Sequence, residues 1–166
     1  MSVEQAEKVM QGAPLSYVGV FRNAPVDEVV ATAAKLKLSA VQLHGDEDQA
    51  YISSLRTQLG EQTQIWKALS VTTTLPPRNL EHVDKYVLDN GQGGTGKSFD
   101  WSLLTGETLD NVLLAGGLGA DNCVQAAKAG CAGLDFNSGV ESERVLKTPA
   151  NWPRCSVRCV HIKEAR

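Results

Sequence analysis

Nowhere in the 166 residues does an apolar run approach the roughly 18 to 20 needed to cross a bilayer. The polar start Met1-Ser2-Val3-Glu4-Gln5 also lacks the basic and apolar regions of a secretory leader. Both absences argue against a membrane role and lead to the expectation of a cytoplasmic protein. Positive charge is not in excess either. A net charge of −3 gives no electrostatic reason to expect nucleic acid or an anionic membrane as partner, whereas a small anionic metabolite, held locally, is compatible with it. Cysteine does not occur before Cys123. The four present, Cys123, Cys131, Cys155 and Cys159, form no CxxC and meet no histidine pair of zinc-type spacing, so no metal site is expected and the thiols are expected reduced. Cys123 and Cys131 lie among alanines and glycines, where a small buried residue fits. No flexible linker or low-complexity stretch divides the chain. With 42% apolar and 21% charged residues, it suits a single globular domain with a substantial core.

What is there is an alternation of short apolar runs and longer segments of helical period, the pattern of a parallel sheet with covering helices. Residues 2–10 read as a helix and 17–21 as a strand. Pro25 then opens a helix in which Val26, Val29, Val30, Ala33 and Leu36 recur at three- and four-residue spacing. Residues 40–43 form the next strand. Asp46, Glu47 and Asp48 stand at the positive end of a further amphipathic helix carrying Tyr51, Ile52, Leu55 and Leu59. Strands follow at 65–69 and 85–88, with a poorly patterned stretch holding Pro76 and Pro77 between them. A glycine-rich loop runs over 91–96 and its unit ends at Trp101. A strand at 112–115, the turn Gly116-Gly117, a helix over 121–129 and a strand at 133–136 complete about six strand and helix units. An open doubly wound sheet fits the alternation, but the short regular units favour a barrel.

Two glycine-rich features invite a phosphate. Residues 91–98 match GxxxxGK[ST] after a strand, which would bring Lys97 to nucleotide phosphates and Ser98 to magnesium. That reading requires a helix starting at the lysine, and Ser98-Phe99-Asp100-Trp101 supports one poorly. No later strand supplies a clear magnesium-binding aspartate. The second feature is the pair Ala115-Gly116-Gly117-Leu118 and Asp135-Phe136-Asn137-Ser138-Gly139, two strand ends turning through small residues. Parallel barrels commonly seat a phosphate between the loops after their last two strands, on backbone N–H groups. Sharp turns alone account for the same glycines equally well.

Together, Val41-Gln42-Leu43-His44-Gly45, Leu88-Asp89 with Gly93-Gly94-Thr95-Gly96 and Phe99-Asp100-Trp101, Ala115-Gly116-Gly117-Leu118, and Leu134-Asp135-Phe136-Asn137-Ser138-Gly139-Val140-Glu141 resemble phosphoribosylanthranilate isomerase in order and spacing. With Ile65-Trp66-Lys67-Ala68-Leu69, the wording is most similar to the isomerase half of the bacterial enzyme fused to indole-glycerol-phosphate synthase. The resemblance implies a (β/α)8 TIM barrel performing an Amadori rearrangement on a small phosphorylated metabolite, with neither metal nor organic cofactor. It implies that Asp89 is the general acid and that backbone around Gly116, Gly117, Ser138 and Gly139 holds the substrate phosphate. Gln42 and His44 end a strand on the same face as substrate-proximal candidates, and Lys97, Asp100 and Trp101 are expected to anchor and cover the loop.

The family begins with a strand carrying its general-base cysteine, then one ending in serine-proline-arginine. Neither motif occurs here, and Ser2-Val3-Glu4-Gln5-Ala6 is similar to the helix that follows the arginine. The expectation is therefore an incomplete barrel over residues 1–143, with about six of the eight strands, in which none of the four cysteines takes the base's place. Residues 144–166, with Pro149, Trp152 and Pro153, show no convincing period where the family has a closing amphipathic helix. A reading frame displaced by two nucleotides from the Arg144 codon can encode a helix-periodic segment, so a frameshifted tail is expected after Glu143. The alternatives are an inactive phosphate-binding remnant and a P-loop nucleotide-binding protein.

Overall fold

The structure, a computed structural model, describes residues 3–11, 15–91, 98–136, 141–143, 146–147 and 161–162, the last three segments as backbone only. Its elements run α1 (Val3–Met10), β1 (Val18–Phe21), α2 (Val26–Leu36), β2 (Ala40–Leu43), α3 (Gln49–Leu59), β3 (Gln64–Ser70), β4 (Lys85–Asp89), a 3-10 turn (Trp101–Leu104), β5 (Val112–Leu114), α4 (Cys123–Ala127) and β6 (Gly133–Leu134). Short strands β7 (Glu141–Glu143), β8 (Leu146–Lys147) and β9 (His161–Ile162) follow. Strands β1 to β6 are parallel, as the alternating pattern predicts. The chain forms two compact units. One holds Met1–Ala68, Asn79–Lys85 and Val160–Arg166, the other Leu69–Arg78 and Tyr86–Cys159.

In the first unit β2 lies between β1 and β3, with Val20 opposite Gln42 and Leu43 opposite Lys67. The outer edge of β1 carries β9, which pairs in parallel at Val18 and Gly19. The apolar positions read from the sequence do form the buried face. Val29, Ala33 and Leu36 of α2 and Ile52 and Leu55 of α3 pack on Val41, Leu43 and Ile65. Each valine, leucine or isoleucine among them contributes on the order of 1.5 to 3 kcal/mol when fully buried. Asp48 caps α3, its carboxylate accepting from the Tyr51 N–H at 2.9 Å. Arg56, buried on α3, donates to the carbonyls of Gly60, Thr63 and His82 and pairs with Asp84. Asp84 also accepts from the Ile65 N–H at 2.7 Å, so one guanidinium fastens the loops that lead into β3 and β4.

In the second unit the order is β4, β5, β6, with Leu88 opposite Leu114 and Leu114 opposite Leu134. Its core gathers Leu88, Phe99, Leu104, Val112, Leu114, Leu118, Leu134 and Phe136. Cys123 is in this core and donates to the Ala120 carbonyl at 3.6 Å, while Cys131 is half-buried, which pushes its thiol up despite nearby Arg78. Both serve the packing role expected of them, whereas Cys155 and Cys159 lie outside the described residues. The helix expected over 121–129 is shorter. Asn122 is held out of it by its side chain, which donates to the Gly117 carbonyl (2.9 Å) and accepts from the Gly119 N–H (3.0 Å). Residues 71–84, poorly patterned in sequence, contain no helix or strand. Among the described residues no helix is long and apolar enough to cross a membrane, and no cluster of three potential metal ligands occurs.

Candidate active site

The candidate residues occupy the carboxyl ends of parallel strands, the end at which barrels of this class place their chemistry. Each unit has its own group, described separately.

In the second unit, Asp89 is the last residue of β4 and is half-buried. One carboxylate oxygen accepts from the Asn90 N–H at 2.6 Å, and the Asp89 carbonyl accepts from the Val71 N–H at 2.7 Å, so both backbone and side chain are set. Next to it the chain leaves β5 through Gly116 (φ 83°) and Gly117 (φ 66°). A side chain at Gly116 would run into the Asp89 carboxylate, so glycine serves both the left-handed backbone and the close approach. The turn is held by Asn122 through Gly117. The structure thus brings together Asp89 and the Gly116-Gly117 turn, two features read separately in the sequence. Asp135 is buried and directly follows β6, the third strand of this unit. Ser138 and Gly139 lie outside the described residues, as do residues 92–97 of the glycine-rich loop. Ser98, Phe99 and Asp100 are irregular, so the helix a P-loop needs beyond its lysine is not there. Asp100 instead caps the 3-10 turn, and its hydrogen bonds to Ser102, side chain and backbone, hold its carboxyl below the usual range.

In the first unit, Gln42 is buried on the strand face opposite Val41 and Leu43, while His44 just beyond is exposed. The Gln42 amide nitrogen lies 3.3 Å from Nδ1 of His44. Beneath the turn is a feature that sequence reasoning missed. Lys67 and Glu47, with side chains 6% and 1% exposed, form an ion pair at 2.7 Å. The Lys67 ammonium also donates to the Gly45 carbonyl (2.7 Å), and Glu47 accepts from the N–H groups of Gly45 (3.0 Å) and Asn23 (2.8 Å). Asn23, in left-handed backbone after β1, accepts in turn from the Asp46 N–H at 2.7 Å. Burial pulls the Glu47 carboxyl upward, but Lys67 and the backbone donors outweigh it and hold the group below its ordinary value. The one available signal was a lysine set between Trp66 and Ala68 in an apolar strand.

The sequence profile of N-(5'-phosphoribosyl)anthranilate (PRA) isomerase matches residues 1–148. The chain belongs to the PRA isomerase family. The tryptophan biosynthesis protein TrpCF of Salmonella typhi is 67% identical over 147 residues, covering 89% of this chain and 32% of the relative. The chain therefore spans about a third of the length of the curated relatives it matches. Among solved structures, the phosphoribosylanthranilate isomerase of Thermotoga maritima is 30% identical with a TM-score of 0.72, covering 89% of this chain and 75% of that one. A phosphoribosylanthranilate isomerase in complex with reduced 1-(o-carboxyphenylamino)-1-deoxyribulose 5-phosphate is similar at 27% identity and a TM-score of 0.68, over 89% and 74% of the two chains. The six parallel strands accord with the barrel folds of these isomerases.

Proposed function

We propose that the protein containing this segment isomerises N-(5-phosphoribosyl)anthranilate to 1-(2-carboxyphenylamino)-1-deoxyribulose 5-phosphate in tryptophan biosynthesis, in the cytoplasm. The observation that carries the reading is the Asp89 carboxyl at the end of β4, set against the Gly116-Gly117 turn at the end of β5. The step is an internal redox change. A proton goes to the furanose ring oxygen as its bond to C1 breaks, C1 becomes an imine, and the proton on C2 leaves to give an enolamine that ketonises. Atoms and electrons balance within the substrate, so one acid and one base suffice and no external oxidant, metal or cofactor is called for. Asp89 is the acid. Gly116 and Gly117, with Ser138 and Gly139, offer backbone N–H groups to the phosphate, where neutral donors suit a dianion. Gln42 and His44 are substrate-proximal. The base is a cysteine that the family carries on a strand with no counterpart in residues 1–143, and the TrpCF relatives support a native fusion to an indole-glycerol-phosphate synthase domain. Residues 1–143 make up the isomerase-like part, and 144–166 a frameshifted tail.

Sequencing the source DNA through both ends of the segment, then following the loss of anthranilate-type fluorescence with freshly made substrate, tests this reading. An upstream frame carrying the cysteine and arginine strands, with turnover that falls about 10²- to 10⁴-fold in Asp89→Asn, is the expected result. Absence of that frame, with no turnover by the chain, would leave an inactive phosphate-binding remnant.

A further inference from the structure

We infer that Lys67 and Glu47 are positioning residues, which lock the turn after His44 so that Gln42 holds the imidazole in one tautomer with its Nε2–H facing outward as a donor. The inference rests on the isomerase reading for its purpose, though not for its geometry. A buried ion pair is often no more stabilising than well-packed apolar residues of the same volume, so the hydrogen bonds it makes are the better guide to what it does. Here they converge on one place. The N–H and the carbonyl of Gly45 are both taken, by Glu47 and Lys67 respectively, and the N–H of Asn23 by Glu47. The N–H of His44 itself donates to the Phe21 carbonyl at 2.8 Å. His44 is thus pinned on both sides at the carboxyl ends of β1 and β2. Arg56, another buried cation of this unit, makes the contrast. Its bonds run to the loops entering β3 and β4, at the amino ends of the strands, where barrels of this class keep stability rather than chemistry.

The tautomer follows from the partner. An amide nitrogen donates and does not accept, so at 3.3 Å Gln42 donates a hydrogen bond to Nδ1, which accepts through its lone pair and leaves the ring's own proton on Nε2. An exposed N–H donor suits an oxyanion of the substrate. Small rotations of the turn would break the contact with Gln42 and free the ring.

The test is nitrogen-15 spectroscopy of the histidine rings in the full chain, which holds three histidines, with His82→Gln and His161→Gln used for assignment. The parent should show His44 as the single Nε2–H tautomer at neutral or higher pH. In Lys67→Met/Glu47→Leu, folded by circular dichroism, the ring should become a tautomer mixture. In the full-length enzyme the same pair of substitutions should lower kcat/KM about tenfold or more, as expected for a displaced contact group. Gln42→Leu, which leaves the ion pair alone, should free the tautomer as well, and serves if the double variant does not fold. An unchanged His44 spectrum in either folded variant overturns the inference and leaves the pair a packing feature. The ring signals require no turnover, so failure of the isomerase assay does not decide this test.

Discussion

At Gly116 two demands meet on one residue, since the backbone is left-handed (φ 83°) and the space a side chain would fill belongs to the Asp89 carboxylate. Gly116→Ala should therefore cost roughly 1 to 2 kcal/mol of stability from the backbone alone. Its kinetic effect should be larger than that loss explains, because the methyl group displaces the carboxylate proposed as the general acid. Urea titration beside steady-state turnover checks the two parts separately, and near-normal kcat in the alanine variant would mean that Asp89 is not the acid. Single residues were unevenly legible in the sequence. The paired glycines stand out because positive-φ turns leave a signature in residue type, whereas Asp89 was singled out only through the family resemblance. Glu47 does not, because a carboxylate at the start of a helix looks the same whether it serves the helix or turns inward to a lysine twenty residues away.

Elements were more legible than residues where a periodic face or a cap defined them. The pattern of Val29, Ala33 and Leu36 gave α2 to within a residue, and Asp48 ends the loop before α3 by accepting from the Tyr51 N–H. Asp48→Ala should cost about 1 kcal/mol, read as a lower denaturant midpoint at unchanged slope. The helix over 121–129 was read too long because apolar spacing is blind to a side chain recruited elsewhere, and Asn122 is committed to Gly117 and Gly119. Arg56 belongs at this scale also, because it fastens whole segments. Arg56→Leu leaves three carbonyls and Asp84 without their shared donor, so a loss on the order of 3 to 5 kcal/mol is expected. Turnover of whatever remains folded should be little altered, and a stable Arg56→Leu chain would show that water replaces the guanidinium at the strand entrances.

For the molecule as a whole, stability should depend on pH through two groups of the first unit, with opposite signs. Glu47 has a folded value below its ordinary 4.5, so its contribution is complete above about 4.5 and disappears as the pH falls through the depressed folded value. Tyr51 is pushed up to about 12 from 10.0, by burial first and then by Glu47 and Glu28. Its phenol donates to the Ala24 carbonyl at 2.8 Å, a bond that only the protonated form makes. Its contribution is therefore complete below pH 10 and lost between 10 and about 12. Thermal unfolding across pH should give a plateau with a shoulder on each side. Lysines titrate in the alkaline window too, so the decisive quantity is the difference between the parent and Tyr51→Phe. The variant should be less stable on the plateau, where a hydrogen bond is missing, and should converge on the parent as the pH rises from 10 to 12. Curves that remain parallel through that window would show that the Tyr51 phenol is not protected by the fold, and would separate its bond to Ala24 from the charge of Glu47.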